Sequence, residues 1–211
     1  MRHDLIFDYE TMGQEAEKCA AIDCSTFVFD WGRFESNPYT FEELLDTVTR
    51  YKLSVRDQVE NYGLVVEKKT LQFWETVPVD VRNNIKPRKD DLTLQQFCDM
   101  FITMLANSPK IEYWWSRSNV FDPIIIWKAM RLTGKVYSFD EYLKHWRIRD
   151  VRSFIDAKFD FTTRNGFVPI ADVDYWERTF REHDSVHDVA ADVLRLQAIL
   201  RAEKDMEQID R

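Results

Sequence analysis

Leu5-Ile6-Phe7-Asp8-Tyr9-Glu10 decides how this chain of 211 residues is read. An apolar run ending in Asp-x-Glu predicts a strand, and alternate strand residues share a face, so Asp8 and Glu10 project together from one side. Two carboxylates on one face repel each other. Protons or cations must offset that repulsion, and bound divalent ions are the usual solution.

Residues 20–29, rich in Ile, Thr, Phe and Val, predict a longer second strand, Asn37-Pro38 a turn, and residues 47–55 a third strand. Together they predict an antiparallel meander. Helical signals follow: Thr70 suits an N-cap, Pro78 starts another helix, and residues 92–105 carry apolar side chains three and four apart. Residues 111–115 predict a fourth strand and 121–132 a helix with Asp122 in its first turn, which is half of an α/β crossover. A fifth strand is expected around His145-Trp146-Arg147-Ile148, running into a helix from Val151. Residues 161–182, with Gly166 and Pro169, predict an extended loop, and Arg164, Arg178 and Arg181 in or near it are candidates for a lid. The last helix is expected from Ser185, with Val189, Val193, Leu196 and Leu200 on one face and a charged tail, 203–211, that frays. Neither a repeat nor a linker divides the sequence, so residues 1–211 predict one α/β domain.

A hydrophobic fraction of 45%, with seven Trp and fifteen Phe, belongs to a packed globule rather than a disordered chain. The formal charge of −8 argues against coating duplex nucleic acid through a broad basic surface. It leaves open an enzyme that grips one strand end, where catalytic carboxylates supply negative charge that metals cancel locally. Cys19, Cys24 and Cys98 contain no Cys-x-x-Cys pair and read as buried free thiols in a reducing compartment. Residues 1–8 hold no apolar run of signal-peptide length, and no segment approaches the roughly 20 apolar residues of a membrane span. The expectation is a cytoplasmic protein without a membrane partner.

Phosphodiester cleavage at neutral pH needs a nucleophilic water, neutralisation of phosphoryl charge and help for the leaving oxygen, and two cations about 3.5–4 Å apart supply all three. Asp8, Glu10, Asp122 and Asp188 offer the oxygen ligands. His183, just before the last helix, has an unperturbed pKa of about 6.5, suited to taking the proton of the attacking water. His187 competes with it as base, and the spacing of four between them also suits a zinc pair, although no His-Glu-x-x-His glutamate accompanies it. Trp74, Trp114, Trp115 and Trp146 are candidate base-stacking platforms, but core packing is the simpler reading for most. Arg117 either contacts a phosphate or is a solvated charge, and the basic run 144–152 and Lys68-Lys69 either steer a strand toward the metals or are solvated faces.

Asp8-x-Glu10, Asn119-x-x-Asp122 and His183-x4-Asp188 resemble the three motifs of the DEDDh class of 3′-to-5′ exonucleases. The likeness is nearer to the phage-type exonuclease A, exonuclease VIII and ribonuclease T-like group, through Asp8-Tyr9-Glu10-Thr11-Met12-Gly13, a Trp before Ser116-Arg117-Ser118-Asn119-Val120-Phe121-Asp122, and Arg149-Asp150-Val151-Arg152. It runs from Asp8 to about Leu200. The resemblance implies a ribonuclease H-like fold, a five-stranded mixed sheet with helices on both faces. It also implies two divalent cations, Mg2+ or Mn2+, with Asp8 bridging, Glu10 and Asp188 completing one site, and Asp122 holding the other. His183 would be the general base, and 5′-mononucleotides the product. Thr11 and Met12 would seat the terminal nucleotide, with Arg117 and Asn119 nearby; many members carry Thr at the position of Met12.

The resulting expectation is a 3′-5′ exonuclease acting on single-stranded 3′ ends, with DNA favoured over RNA. The alternatives are a ribonuclease T-like exoribonuclease, a proofreading subunit, and a nucleic-acid-binding protein on this fold that no longer cleaves.

Overall fold

The structure, a computed structural model, describes residues 2–158, 176 and 178–209. Most of the loop expected over residues 161–182, including Arg164, lies outside the described residues. Five strands form one mixed sheet: β1 (His3–Thr11), β2 (Ala21–Asp30), β3 (Thr49–Lys52), β4 (Ile111–Ser116) and β5 (Ile148–Asp150), in the order β3-β2-β1-β4-β5. β1, β2 and β3 are antiparallel neighbours, and β1 pairs in parallel with β4 and β4 with β5. The meander and the crossover are both present, with the acidic strand in the centre of the sheet.

The helices that lie wholly among the described residues are α1 (Arg33–Ser36), α2 (Phe41–Thr47), α3 (Val55–Tyr62), α4 (Lys68–Thr76), α5 (Val79–Ile85), α6 (Leu94–Asn107), α7 (Asp122–Leu132), α8 (Val136–Asp140), α9 (Val151–Lys158) and α10 (Ser185–Ile209). Strand alternation sorts them onto two faces. Leu5, Phe7 and Tyr9 of β1 pack with Phe97 and Phe101 of α6, Ile126 and Met130 of α7 and Phe139 of α8. Ile6, between them in sequence, points the other way into Trp115, Leu44 of α2, Ile155 of α9 and Val189, Val193 and Leu196 of α10. Asp8 and Glu10 share the parity of Ile6, so they lie on the face that α10 covers.

Several boundaries differ from the sequence reading. The third strand is confined to Thr49–Lys52 because capped helices close on it from both sides: Thr40 accepts from the Glu43 amide at the start of α2, and Ser54 from the Asp57 amide at the start of α3. The residue before α4 is Glu67 rather than Thr70. Residues 145–147 form a 3-10 turn and the fifth strand begins only at Ile148. Trp74, Trp114 and Trp115 are buried and Trp146 is 61% exposed, so packing accounts for three of the four. All three cysteines are buried and unpaired. No helix is long and apolar enough among the described residues to cross a membrane.

Candidate active site

The parallel ladder between β1 and β4 runs from His3↔Ile111 to Ile6↔Trp115. Beyond Ile6 the chain leaving β4 turns into α7, and the Tyr9 N–H donates to Oδ1 of Asp122 at 3.3 Å. Asp122, the first residue of α7, is thereby fixed beside the carboxyl end of β1, where open α/β sheets form their crevices. Asp188, in the first turn of α10, approaches from the covering layer. Carboxylate oxygens of Asp8, Glu10 and Asp188 lie within 4.8 Å of one another.

The electrostatics are those of anions with too little compensation. Burial, then the charges of Asp122, Asp188 and Glu10, push the Asp8 carboxyl well above the usual range. Glu10 is likewise pushed well up by burial and then by Asp188 and Asp23, its cross-strand neighbour. Burial raises Asp122 to about 7 against the opposing hydrogen bond from the Tyr9 amide. Asp188 rises to about 8, through burial and then Asp192, with Arg195 and Arg117 pulling the other way. An all-oxygen donor set that resists ionisation fits a hard divalent cation, because the ion would supply the missing positive charge.

Arg117 does not stand free beside this cluster. Its guanidinium grips Asp192 of α10, with Nε 3.1 Å from each carboxylate oxygen and Nη2 closer still, and Arg195 Nη1 donates to Asp192 Oδ1 at 2.8 Å. The segment between β4 and α7 is thus fastened to α10 one turn beyond Asp188. The exposed Asn119 donates its amide to Asp150 Oδ2 at 3.2 Å, and the same carboxylate accepts from the Ser153 amide at the start of α9.

Thr11 and Met12 follow a bulge at Glu10/Thr11. The Thr11 hydroxyl donates to the Gly13 carbonyl at 2.8 Å, and its own carbonyl accepts from the Trp74 indole at 3.0 Å. Met12 packs against Ile22, Trp74, Val77 and Val81. Gly13 is required by close approach: a Cβ there would lie 2.6 Å from Glu67 Oε1 and 2.8 Å from Cys19 Cβ.

His183 is not a member of the carboxylate trio. Its backbone is left-handed (φ 64°), and its ring meets Phe73 edge-on at 4.9 Å in an open cleft also lined by Val77, Pro78, Phe180 and Arg181. His187 occupies a different environment. Nδ1 accepts the Arg181 amide at 3.3 Å, the ring packs on Phe41 and Phe180, and burial lowers its pKa. Carboxylates alone form the metal-competent cluster among the described residues, and the two histidines do not converge in one.

Sequence reasoning missed a buried polar network at the start of α10. Asp184 caps that helix, with Oδ1 accepting from the Val186 amide at 3.1 Å and from Arg50 of β3, and Oδ2 from Asn84 at 2.8 Å. Ser185 Oγ lies 2.9 Å from Asp23 Oδ1 and 2.7 Å from Ser25 Oγ. The available signal was Asp184-Ser185 directly before the apolar helix face, a capping pattern overshadowed by the flanking histidines.

Comparison with known proteins accords with this geometry. The chain is 32% identical over 217 residues to the exodeoxyribonuclease of Enterobacteria phage T4, with 94% of this chain and 89% of that protein covered. Its fold resembles E. coli exonuclease I in complex with a dT13 oligonucleotide (TM-score 0.59, 15% identity, 100% of this chain and 43% of that one). The zinc-bound form of the exonuclease I complex with single-stranded DNA gives a TM-score of 0.58 at 14% identity, covering 98% of this chain and 41% of that one. The chain thus spans less than half the length of these exonuclease I chains. The fold is ribonuclease H-like, and the relatives define an exonuclease, a hydrolase acting on nucleic acid. The model of the 3′-5′ exoribonuclease Rv2179c-like domain matches residues 3–199, and the protein belongs to that family. Its direction of attack is therefore 3′ to 5′.

Proposed function

We propose that this chain removes nucleotides from the 3′ end of single-stranded DNA using two divalent cations, Mg2+ or Mn2+. The observation that carries the reading is the convergence of Asp8, Glu10 and Asp188 within 4.8 Å beside Asp122. Asp8, Glu10 and Asp188 would hold one ion, and Asp122, beside Asp8, would help hold the other. Ions held there would neutralise charge at the phosphoryl group and acidify the attacking water. Nε2 of His183, 3.9 Å from Glu182 Oε1, takes a proton from the attacking water as the water oxygen bonds to phosphorus and the bond from phosphorus to the 3′ oxygen breaks; a 5′-mononucleotide leaves, and the new 3′-hydroxyl of the shortened strand takes its proton from solvent. Met12 and Asn119 meet the terminal nucleotide, Thr11 shapes the bulge beneath it, and Arg117 acts through Asp192 to keep Asp188 in place.

The choice of DNA rests on likeness to a phage exodeoxyribonuclease across nearly the full length of both chains, and on a fold shared with exonuclease I, solved on DNA oligonucleotides. RNA is the second reading, favoured by the family description as an exoribonuclease. Matched single-stranded DNA and RNA oligonucleotides, labelled at the 5′ end and digested with Mg2+ or Mn2+, separate the two. DNA shortened one nucleotide at a time and faster than RNA supports the proposal, whereas faster trimming of RNA overturns the choice of sugar.

A further inference from the structure

The base assigned above has a conformational problem. His183 holds φ 64°, a region that costs a residue with a Cβ free energy and persists only where neighbours impose it. The neighbour able to do so is Asp184, whose carboxylate is fully committed: to the Val186 amide, to Asn84 of α5 and to Arg50 of β3. Asp184 is 2% exposed, and its amide lies 3.3 Å from the Arg181 carbonyl, closing a tight turn around Glu182 and His183.

Arg50 is the only cation joined by ion pairs to Asp184 and Asp23 among the described residues. Its Nε lies 3.6 Å from Asp23 Oδ2, and Asp23 accepts from Ser185 at the first residue of α10. One guanidinium therefore ties the sheet to the two residues that follow His183. Nη2 donates to Asp184 while Nε faces Asp23 beyond hydrogen-bond distance, so the broad planar guanidinium reaches both carboxylates where a compact ammonium would reach one.

Resting on the reading of His183 as base, we infer that Arg50 is a positioning residue for the reaction: it clamps Asp184 and Asp23 so that the left-handed turn presents His183 to the cleft beside Phe73. Arg50 touches neither substrate nor metal in this role. Asn84 braces the other oxygen of Asp184 and supports the same turn.

A double-mutant cycle tests this by measuring single-turnover cleavage of a DNA oligonucleotide, KM and Mn2+ affinity by calorimetry. Arg50→Ala should lower kcat about 10- to 100-fold, the range for supporting-shell residues, while KM and Mn2+ affinity change less than about threefold. In a His183→Ala background the same substitution should cost less than about threefold more, because residues acting as a unit are not additive. Arg50→Lys should recover part of the rate. Should Arg50→Ala fail to fold, Asn84→Ala and Arg50→Lys in the same cycle carry the test. A loss that multiplies undiminished onto His183→Ala, or an equal loss of Mn2+ affinity, overturns the positioning role alone. A fully active His183→Ala enzyme overturns the assignment of the base and this inference with it.

Discussion

The Tyr9 amide donates to the Asp122 carboxylate at 3.3 Å, fastening the first turn of α7 to the strand position between Asp8 and Glu10. Without that bond the N–H would face the gap where β4 has left β1. The second motif is therefore placed by the open edge of the first.

Asp122→Asn separates charge from geometry. The amide oxygen still accepts from Tyr9, so the fold should persist, and above about pH 7, where the Asp122 carboxyl is ionised, removal of a buried anion should raise the melting temperature of the metal-free protein. Exonuclease activity should fall more than about 100-fold, since even outer-shell partners of metal ligands cost up to about that much. Circular dichroism melts and a gel-based digestion assay check both outcomes.

The raised carboxyls of the site make the metal-free protein less stable as pH rises. In the unfolded chain these groups ionise near 3.8 for Asp and 4.5 for Glu, whereas in the fold Asp122 keeps its proton to about 7 and Asp188 to about 8. Between those limits the native state holds more protons than the unfolded state, so unfolding free energy decreases with pH. The contribution is fully present below about pH 4 and is lost as pH rises through about 8. Denaturant melts in a chelator should show that decline from pH 5 to 8. Saturating Mg2+ should flatten it, because the ion stabilises the ionised ligands.

Much of this was legible in sequence. The Asp-x-Glu strand, the meander and the strand-helix order around Asp122 follow from hydrophobic period and turn residues, which are local. What escaped depends on partners distant in sequence. Ser54-x-x-Asp57 and Thr40-x-x-Glu43 were readable as caps, yet only their closure from both sides shortens β3 to four residues. Nothing local announces that Arg117 will be taken by Asp192, 75 residues away, or Arg50 by Asp184, 134 away. The motif spacing likewise could not tell that His183 would face Phe73 while His187 turned inward.

The two histidines should respond differently to substitution. His183→Ala is expected to slow turnover about 100-fold or more, in keeping with loss of a general base, with little change in thermal stability. His187→Ala removes the acceptor of the Arg181 amide and ring contacts with Phe41 and Phe180. It should cost stability of about 1–3 kcal/mol and a smaller share of activity. Steady-state rates and chemical denaturation distinguish the two patterns.

Asp4 supports the opposite end of β1. Its buried carboxylate accepts from the indoles of Trp31 at 2.7 Å and Trp115 at 2.8 Å, from the Tyr113 amide and from Arg2. Asp4→Ala orphans those donors and should destabilise the protein by about 2–4 kcal/mol. Manganese affinity measured by calorimetry on the folded fraction should remain within about twofold, because Asp4 is no part of the carboxylate cluster.

The most direct test is a crystal structure of the protein with Mn2+ and a nucleoside 5′-monophosphate, read by anomalous scattering. Two peaks are expected, one among Asp8, Glu10 and Asp188 and one between Asp8 and Asp122. A metal held by His183 and His187, with the carboxylates left without an ion, would contradict it.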